Sequence, residues 1–380
     1  MSNSDFENIR PYLDNEVVGI TSKLSESLDW VKLMSPIIGE DNAQEIAEAM
    51  SMVETIDEFQ DELTSPFLES LIEGTTTGVT VSFDNDDLED YFSKPMLHLT
   101  NHRDIVLDPS LINVARLGNG FSSTQIGIGD NLLKKEWVES LVRLNKCFVV
   151  PRSGTLREKL ANSKLVGAYI RHVISNETSV WLAQREGRAK NGEDLTSPAL
   201  IRMLISNNGR EGWESLNVCP VSISYEWDPC DALKVRELLI TDRDGAYEKL
   251  PGEDEMSMAL GLSEMKGDVH LHFCSPLSWS EEEGERTEKV LATKVDEAIF
   301  RGYKIFPNQI LATRQLGQDI PQIISISEED SELFNKRIQT IIDFIGDEFT
   351  KQEITNKWCE ITAKPLFNHL GVKSPTSRNF

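Results

Sequence analysis

The chain has 380 residues and carries 63 Asp and Glu against 38 Lys and Arg, a formal net charge of −25 at pH 7. With 39% hydrophobic and 27% charged residues it has the balance of a protein that buries a core, in one large domain or two ordinary ones. So acidic a chain repels nucleic acid and anionic bilayers at long range, which excludes wrapping of duplexes and general electrostatic adsorption.

The N-terminal residues lack a basic stretch followed by an apolar run, and no window of 18 apolar residues occurs anywhere. A soluble, cytoplasmic protein is expected. Cys147, Cys219, Cys230, Cys274 and Cys359 are scattered with no Cys-x-x-Cys pair, which predicts reduced thiols and no zinc ribbon. Residues 33–93 contain no Lys or Arg, and Ile46, Met50, Val53, Ile56 and Phe59 keep helical spacing, so acidic-faced helices are predicted there. Gly74 to Gly78 breaks that pattern, and 79–83 alternates as a strand. From Met96 onward, strands are predicted at 96–100, 147–150, 179–182 and 218–225, with helices at 134–144, 156–175 and 197–206. Gly127-Ile128-Gly129 reads as a turn. A helix at 232–239 and a strand at 268–273 follow, the latter with His270 and His272 on its solvent side. Helices at 285–300 and 328–349 flank a loop at 303–308, and 373–380 is expected to fray. This rhythm predicts an α/β fold, a mixed central sheet flanked by helices, with helical N- and C-terminal extensions. The expected divisions are 1–90, 91–275 and 276–380.

Asn101-His102-Arg103-Asp104-Ile105-Val106-Leu107-Asp108 follows directly on a predicted strand. A histidine there, with a carboxylate a few residues on to orient it, can act as a general base on a hydroxyl. Arg152 lies just past a second strand, and Arg185-Glu186-Gly187-Arg188-Ala189-Lys190 past a third. Arginine's planar fork suits phosphate and glycine admits close approach of an anion to the backbone. In so acidic a chain, a cluster of Arg103, Arg152, Arg185, Arg188 and Lys190 points to a phosphorylated substrate. Pro220 opens a fourth, apolar strand.

The order His102 to Asp108, then Arg152, then Glu186-Gly187-Arg188, then Pro220 resembles the four blocks of the glycerolipid acyltransferases, over 96–225. That family includes glycerol-3-phosphate and 1-acylglycerol-3-phosphate acyltransferases. The resemblance implies His102 as general base with an orienting carboxylate. It implies an acceptor phosphate held by Arg152 and the Glu186-Gly187-Arg188 block, and an acyl side shaped by Pro220, while Arg103 and Lys190 are expected among the substrate-binding residues from the basic cluster. The family usually sets four residues between its His and Asp. Five separate His102 from Asp108, so either Asp108 or Asp104 takes the orienting role. The third block departs from Glu-Gly-Thr-Arg toward the pattern of the glycerol-3-phosphate enzymes, leaving the acceptor open between lysophosphatidate and glycerol-3-phosphate.

The donor implied is acyl-CoA or acyl carrier protein as co-substrate, with no bound cofactor and no metal. Transient contact with the inner face of a membrane is expected of an enzyme of phospholipid biosynthesis, and Lys134, Lys135, Lys159 and Lys164 lie near the motif side. No Gly-x-Ser-x-Gly elbow occurs, which disfavours a serine hydrolase. The kinase loop suggested by His102-Arg103-Asp104 fails because Pro109 stands where Asn is needed. The competing readings are acylation of a phosphate-free lyso-lipid, a non-catalytic lipid-binding module of the same fold, and metal-dependent phosphoester hydrolysis through Asp104, Asp108 and His102.

Overall fold

The computed structural model describes residues 3–26, 35, 40–85, 92–206, 208–320 and 323–371. The tail at 373–380, Trp30 and the end of the acidic stretch at 86–91 lie outside the described residues. Among the described residues seven strands are present: β1 Gly78–Phe83, β2 Leu97–Thr100, β3 Gln125–Gly129, β4 Cys147–Val150, β5 Val180–Ala183, β6 Cys219–Tyr225 and β7 Asp268–Phe273. They form one mixed sheet in the order β1-β7-β6-β2-β5-β3-β4. Strands β2 to β6 are parallel, whereas β7 runs antiparallel to β6 and carries β1 parallel to itself. The loops after β2, β4 and β5 therefore leave the same edge, where open α/β sheets gather their sites.

Side-chain alternation sorts the core onto two faces. Leu97 and Leu99 of β2 pack with Phe148, Leu182 and Ile170 on one side. Trp181, Val221 and Leu271 pack on the other against Leu111 and Ile112 of the helix Leu107–Leu117. A third cluster joins the helix Asp231–Asp244 to the helices Glu328–Ile345 and Lys351–His369, and a fourth joins the N-terminal helices to Leu144. This is the mixed sheet flanked by helices, with helical extensions, that the sequence predicts. All five cysteines are free and buried.

Several elements depart from the sequence-based expectation. Gly127 and Gly129 belong to β3, not to a turn. A Cβ on Gly127 would meet Leu182 at 2.6 Å and one on Gly129 would meet the Arg152 guanidinium at 2.6 Å, so close approach, not chain reversal, requires these glycines. The helices Leu107–Leu117 and Glu253–Ser263 were not expected, Lys351–His369 continues the helical C-terminal region beyond the helix predicted at 328–349, and Pro307–Gln315 takes only the last two residues of the loop predicted at 303–308. Proline at the first turn of that last helix is preset for helical φ. His270 and His272 are half-buried. They join Thr80, Ser82 and Asp84 in a hydrogen-bonded ladder across β1 and β7, with contacts of 2.7 to 3.0 Å.

Candidate active site

The turn after β2 is built around the carboxylate of Asp108, in the first turn of the helix Leu107–Leu117. Its Oδ2 lies 2.8 Å from His102 Nδ1 and accepts the backbone N–H groups of Arg103 at 2.7 Å and Asp104 at 3.0 Å. Its Oδ1 accepts the Tyr225 phenol at 2.9 Å. An ionised carboxylate only accepts hydrogen bonds, so this network assigns the proton of neutral His102 to Nδ1 and leaves Nε2 able to take a proton. His102 is 14% exposed at its side chain and meets the Trp181 ring edge-on at 6.0 Å.

Asp104 plays a different part. Its Oδ1 accepts the amides of Val106 and Leu107, both at 2.8 Å, in the manner of a helix cap. Burial and the nearby Asp108 push its carboxyl above the usual range. Of the two carboxylates left open by the sequence, Asp108 is the one on His102. Asp104 thus commits one oxygen to two amides, whereas both oxygens of Asp108 are engaged, by His102, Tyr225 and two amides.

Asn101 locks the end of β2 to β6 by exchanging two hydrogen bonds with Ile223, at 2.8 and 2.9 Å. The loop after β5 is tied to the same turn by the Ala189 amide, which donates to the His102 carbonyl at 2.9 Å. Glu186 and Gly187 form its exposed tip, Gly187 with φ of 71°. Arg152, partly exposed, lies 3.5 Å from Glu186. Arg188 has one guanidinium nitrogen, Nη1, buried with no partner. Lys190 is ion-paired with Glu237.

Arg103 departs from the expected role. Its guanidinium is buried, 2.5 Å from Asp194 and 3.5 Å from Asp228, and Tyr303 donates to the same Asp194 oxygen at 2.6 Å. It is committed inside the protein to these acidic partners. Pro220 sits within the sheet opposite Leu99, buried on all sides. The sequence did not single out Tyr225 or Asn101. Tyr225 ends a strand far along the chain from Asp108, so no local spacing connects them.

Among the described residues, two cavities and one donor cluster lie apart from His102. A cavity of about 30 Å³ beside Arg103, Ser224 and Asn308 is the size of a few water molecules. A groove of about 440 Å³ lined by Arg10, Tyr12, Gln125 and Asn176 opens at the opposite edge of the sheet. Asp84, His272 and Cys274 bring their donor atoms within 4.8 Å of one another. Asp84 is already held there by Arg301 at 3.1 Å and the Ser275 amide at 2.8 Å.

No family model matches the chain, and no curated protein matches it in sequence. Among solved structures it is similar to the crystal structure of the 1-acyl-sn-glycerophosphate (LPA) acyltransferase PlsC from Thermotoga maritima. The identity is 13%, the match covers 74% of this chain and 95% of that one, and the TM-score is 0.36. A likeness this distant identifies neither reaction nor substrate.

Proposed function

We propose that this chain is an O-acyltransferase of glycerolipid synthesis, moving an acyl group from a thioester donor to a hydroxyl of a phosphorylated acceptor, lysophosphatidate or glycerol-3-phosphate. The observation that carries the reading is the His102–Asp108 pair at 2.8 Å, set at the sheet edge with Arg152 and Arg188 on neighbouring loops. The ordered resemblance of these blocks to glycerolipid acyltransferases supports it.

In this mechanism the acceptor hydroxyl gives its proton to His102 Nε2 as its oxygen attacks the thioester carbonyl. The tetrahedral intermediate collapses with loss of the thiolate, which takes the proton back from His102. No covalent enzyme intermediate forms. Asp108 holds the ring and stabilises the imidazolium, while Tyr225 and two backbone amides hold Asp108. Arg152 and Arg188 hold the acceptor's phosphate, with Glu186 and Gly187 shaping the mouth. Arg103 organises the turn from within. The donor is acyl-CoA or acyl carrier protein. Exposed Lys134, Lys135, Lys159 and Lys164 beside the exposed Leu156 form the edge assigned to transient contact with a membrane. Among the described residues no helix is long and apolar enough to cross one.

The test is transfer of labelled acyl groups from acyl-CoA and from acyl carrier protein to glycerol-3-phosphate, lysophosphatidate and a phosphate-free lyso-lipid, with and without a chelator. Product from a phosphorylated acceptor, insensitive to the chelator, is expected. Product only from the phosphate-free acceptor removes the phosphate role of the arginines, and no product from any pair removes the enzyme reading.

A further inference from the structure

Strand alternation collects a second set of donor side chains away from the candidate base. In β1 and β7 the pairs Thr80–His270 and Ser82–His272 share one face, while Val269, Leu271 and Phe273 are buried on the other. The same alternation, carried just past the two strand ends, adds Asp84 and Cys274. Both are held in register, the Asp84 amide donating to the Phe273 carbonyl at 3.0 Å and the Cys274 amide to the Pro220 carbonyl at 2.9 Å. Donor atoms of Asp84, His272 and Cys274 thereby lie within 4.8 Å of one another. They stand at the Pro220 end of β6, whereas the His102 turn meets its Tyr225 end.

Asp84 and His272 are each fixed by bonds that leave one atom for the other. Asp84 spends Oδ2 on the Ser275 amide at 2.8 Å and on Arg301 at 3.1 Å, and its Oδ1 lies 3.0 Å from His272 Nε2. His272 Nδ1 is 2.7 Å from Ser82 Oγ, Ser82 Oγ is 2.9 Å from His270 Nε2, and His270 Nδ1 is 2.8 Å from Thr80 Oγ1. Thr80 donates its own hydroxyl proton to the Val269 carbonyl at 3.4 Å, so its oxygen accepts from His270 Nδ1. Neutral His270 then accepts the Ser82 hydroxyl at Nε2, and Ser82 accepts from His272 Nδ1. Run in this direction, the row leaves His272 Nε2 without a proton, opposite a carboxylate oxygen. Two acceptors this close require a cation between them. The reverse direction protonates Nε2 but leaves the Thr80 bond to Val269 unmade. Cys274 offers its thiol from the buried side. Ser222, paired with His272 across β6 and β7, adds a buried hydroxyl with no partner.

We propose that Asp84, His272 and Cys274 form a zinc site, with water as the fourth ligand. One oxygen, one nitrogen and one sulfur donor suit a tetrahedral zinc-class ion, whereas calcium and magnesium take oxygen ligands. Ser82 is the outer partner that sets the His272 ring. On binding, the ion takes the Cys274 thiolate and the S–H proton leaves to solvent, with no change of oxidation state. The ion enters past the side chains of His272 and Asp84, 17% and 20% exposed. It pins the ends of β1 and β7 together and takes no part in acyl transfer, so the site does not depend on that reading.

Titration of Co2+ and then Zn2+ into the full chain, previously stripped with a chelator and dialysed, tests the site. The parent should take up one cobalt ion with a near-ultraviolet thiolate-to-metal charge-transfer band and the strong visible absorption of four-coordinate cobalt. Zinc should abolish both and raise the melting temperature. The charge-transfer band should vanish in Cys274→Ala and persist in Cys359→Ala, whose thiol is buried in a different cluster. Zinc affinity should fall by at least about tenfold in His272→Gln and in Asp84→Asn, and by about tenfold in Ser82→Ala with the band retained. A parent protein without the charge-transfer band would overturn the site, as would a band that survives in Cys274→Ala or zinc affinity unchanged in His272→Gln. If Cys274→Ala does not fold, the parent spectrum and the partly exposed His272 decide the matter alone.

Discussion

Asp108 accepts four hydrogen bonds, from His102, Tyr225 and the amides of Arg103 and Asp104, so one buried carboxylate fixes both the ring and the turn that carries it. A hydrogen bond to a charged acceptor contributes about 1.5 kcal/mol, roughly tenfold in rate. Tyr225→Phe should therefore lower kcat by about tenfold with KM little changed, read by steady-state kinetics. Arg103 should behave in the opposite way. Removing it strands Asp194 and Asp228 in the interior, so Arg103→Met should cost about 3–5 kcal/mol in urea unfolding. The loss should appear in stability and not as weakened phosphate binding in the protein that remains folded. The sequence showed His102 and its two candidate carboxylates but could not choose between them, because the choice is made by the turn and not by spacing. It also grouped Arg103 with the phosphate ligands, since its partners Asp194, Asp228 and Tyr303 are far away along the chain.

At the level of elements, close approaches decide what pattern alone misses. The glycines of β3 read as a turn until Leu182 and Arg152 are seen against them, and the helix Leu107–Leu117 is not among the helices the sequence pattern predicts. A Cβ on Gly261 would collide with Asp104 Oδ2, so Gly261→Ala should force the helix Glu253–Ser263 away from Asp104 at a cost of about 1–3 kcal/mol, measured by thermal unfolding. The helix Thr287–Arg301 carries a pH-dependent weakness. Burial, with Asp194 nearby, pushes the Asp296 carboxyl up to about 6 although it accepts bonds from Thr196. The folded state therefore holds this proton more tightly than the unfolded chain, and stability is lost as pH rises from about 4 through 6. Asp296→Asn keeps an acceptor for the Thr196 amide. It should raise stability by about 1–2 kcal/mol at pH 7.5, after allowance for its partial exposure, and leave it unchanged at pH 4.

Across the whole molecule, a net charge of −25 opposes the approach of acidic donors such as acyl-CoA and acyl carrier protein. Residues 130–164 run against that balance, with eight Lys and Arg to four Asp and Glu, and they surround the loops after β3 and β4. Charge reversal at Lys159 and Lys164 should lower kcat/KM for the donor by about tenfold at low ionic strength, with the difference fading toward 0.5 M salt at a Debye length of only a few Å. The sheet, its flanking helices and the edge bearing the motifs were legible because hydrophobic period and strand-end position are local signals. The C-terminal helices were only partly so, since Gly346 separates Glu328–Ile345 from Lys351–His369, and burial against the helix Asp231–Asp244 is a long-range event. The most direct test of the central claim compares acyl transfer to the phosphorylated acceptor by the parent protein and by His102→Ala at matched thermal stability. A loss on the order of 100-fold or more is predicted for removal of a general base; transfer that persists in a folded His102→Ala protein would contradict it.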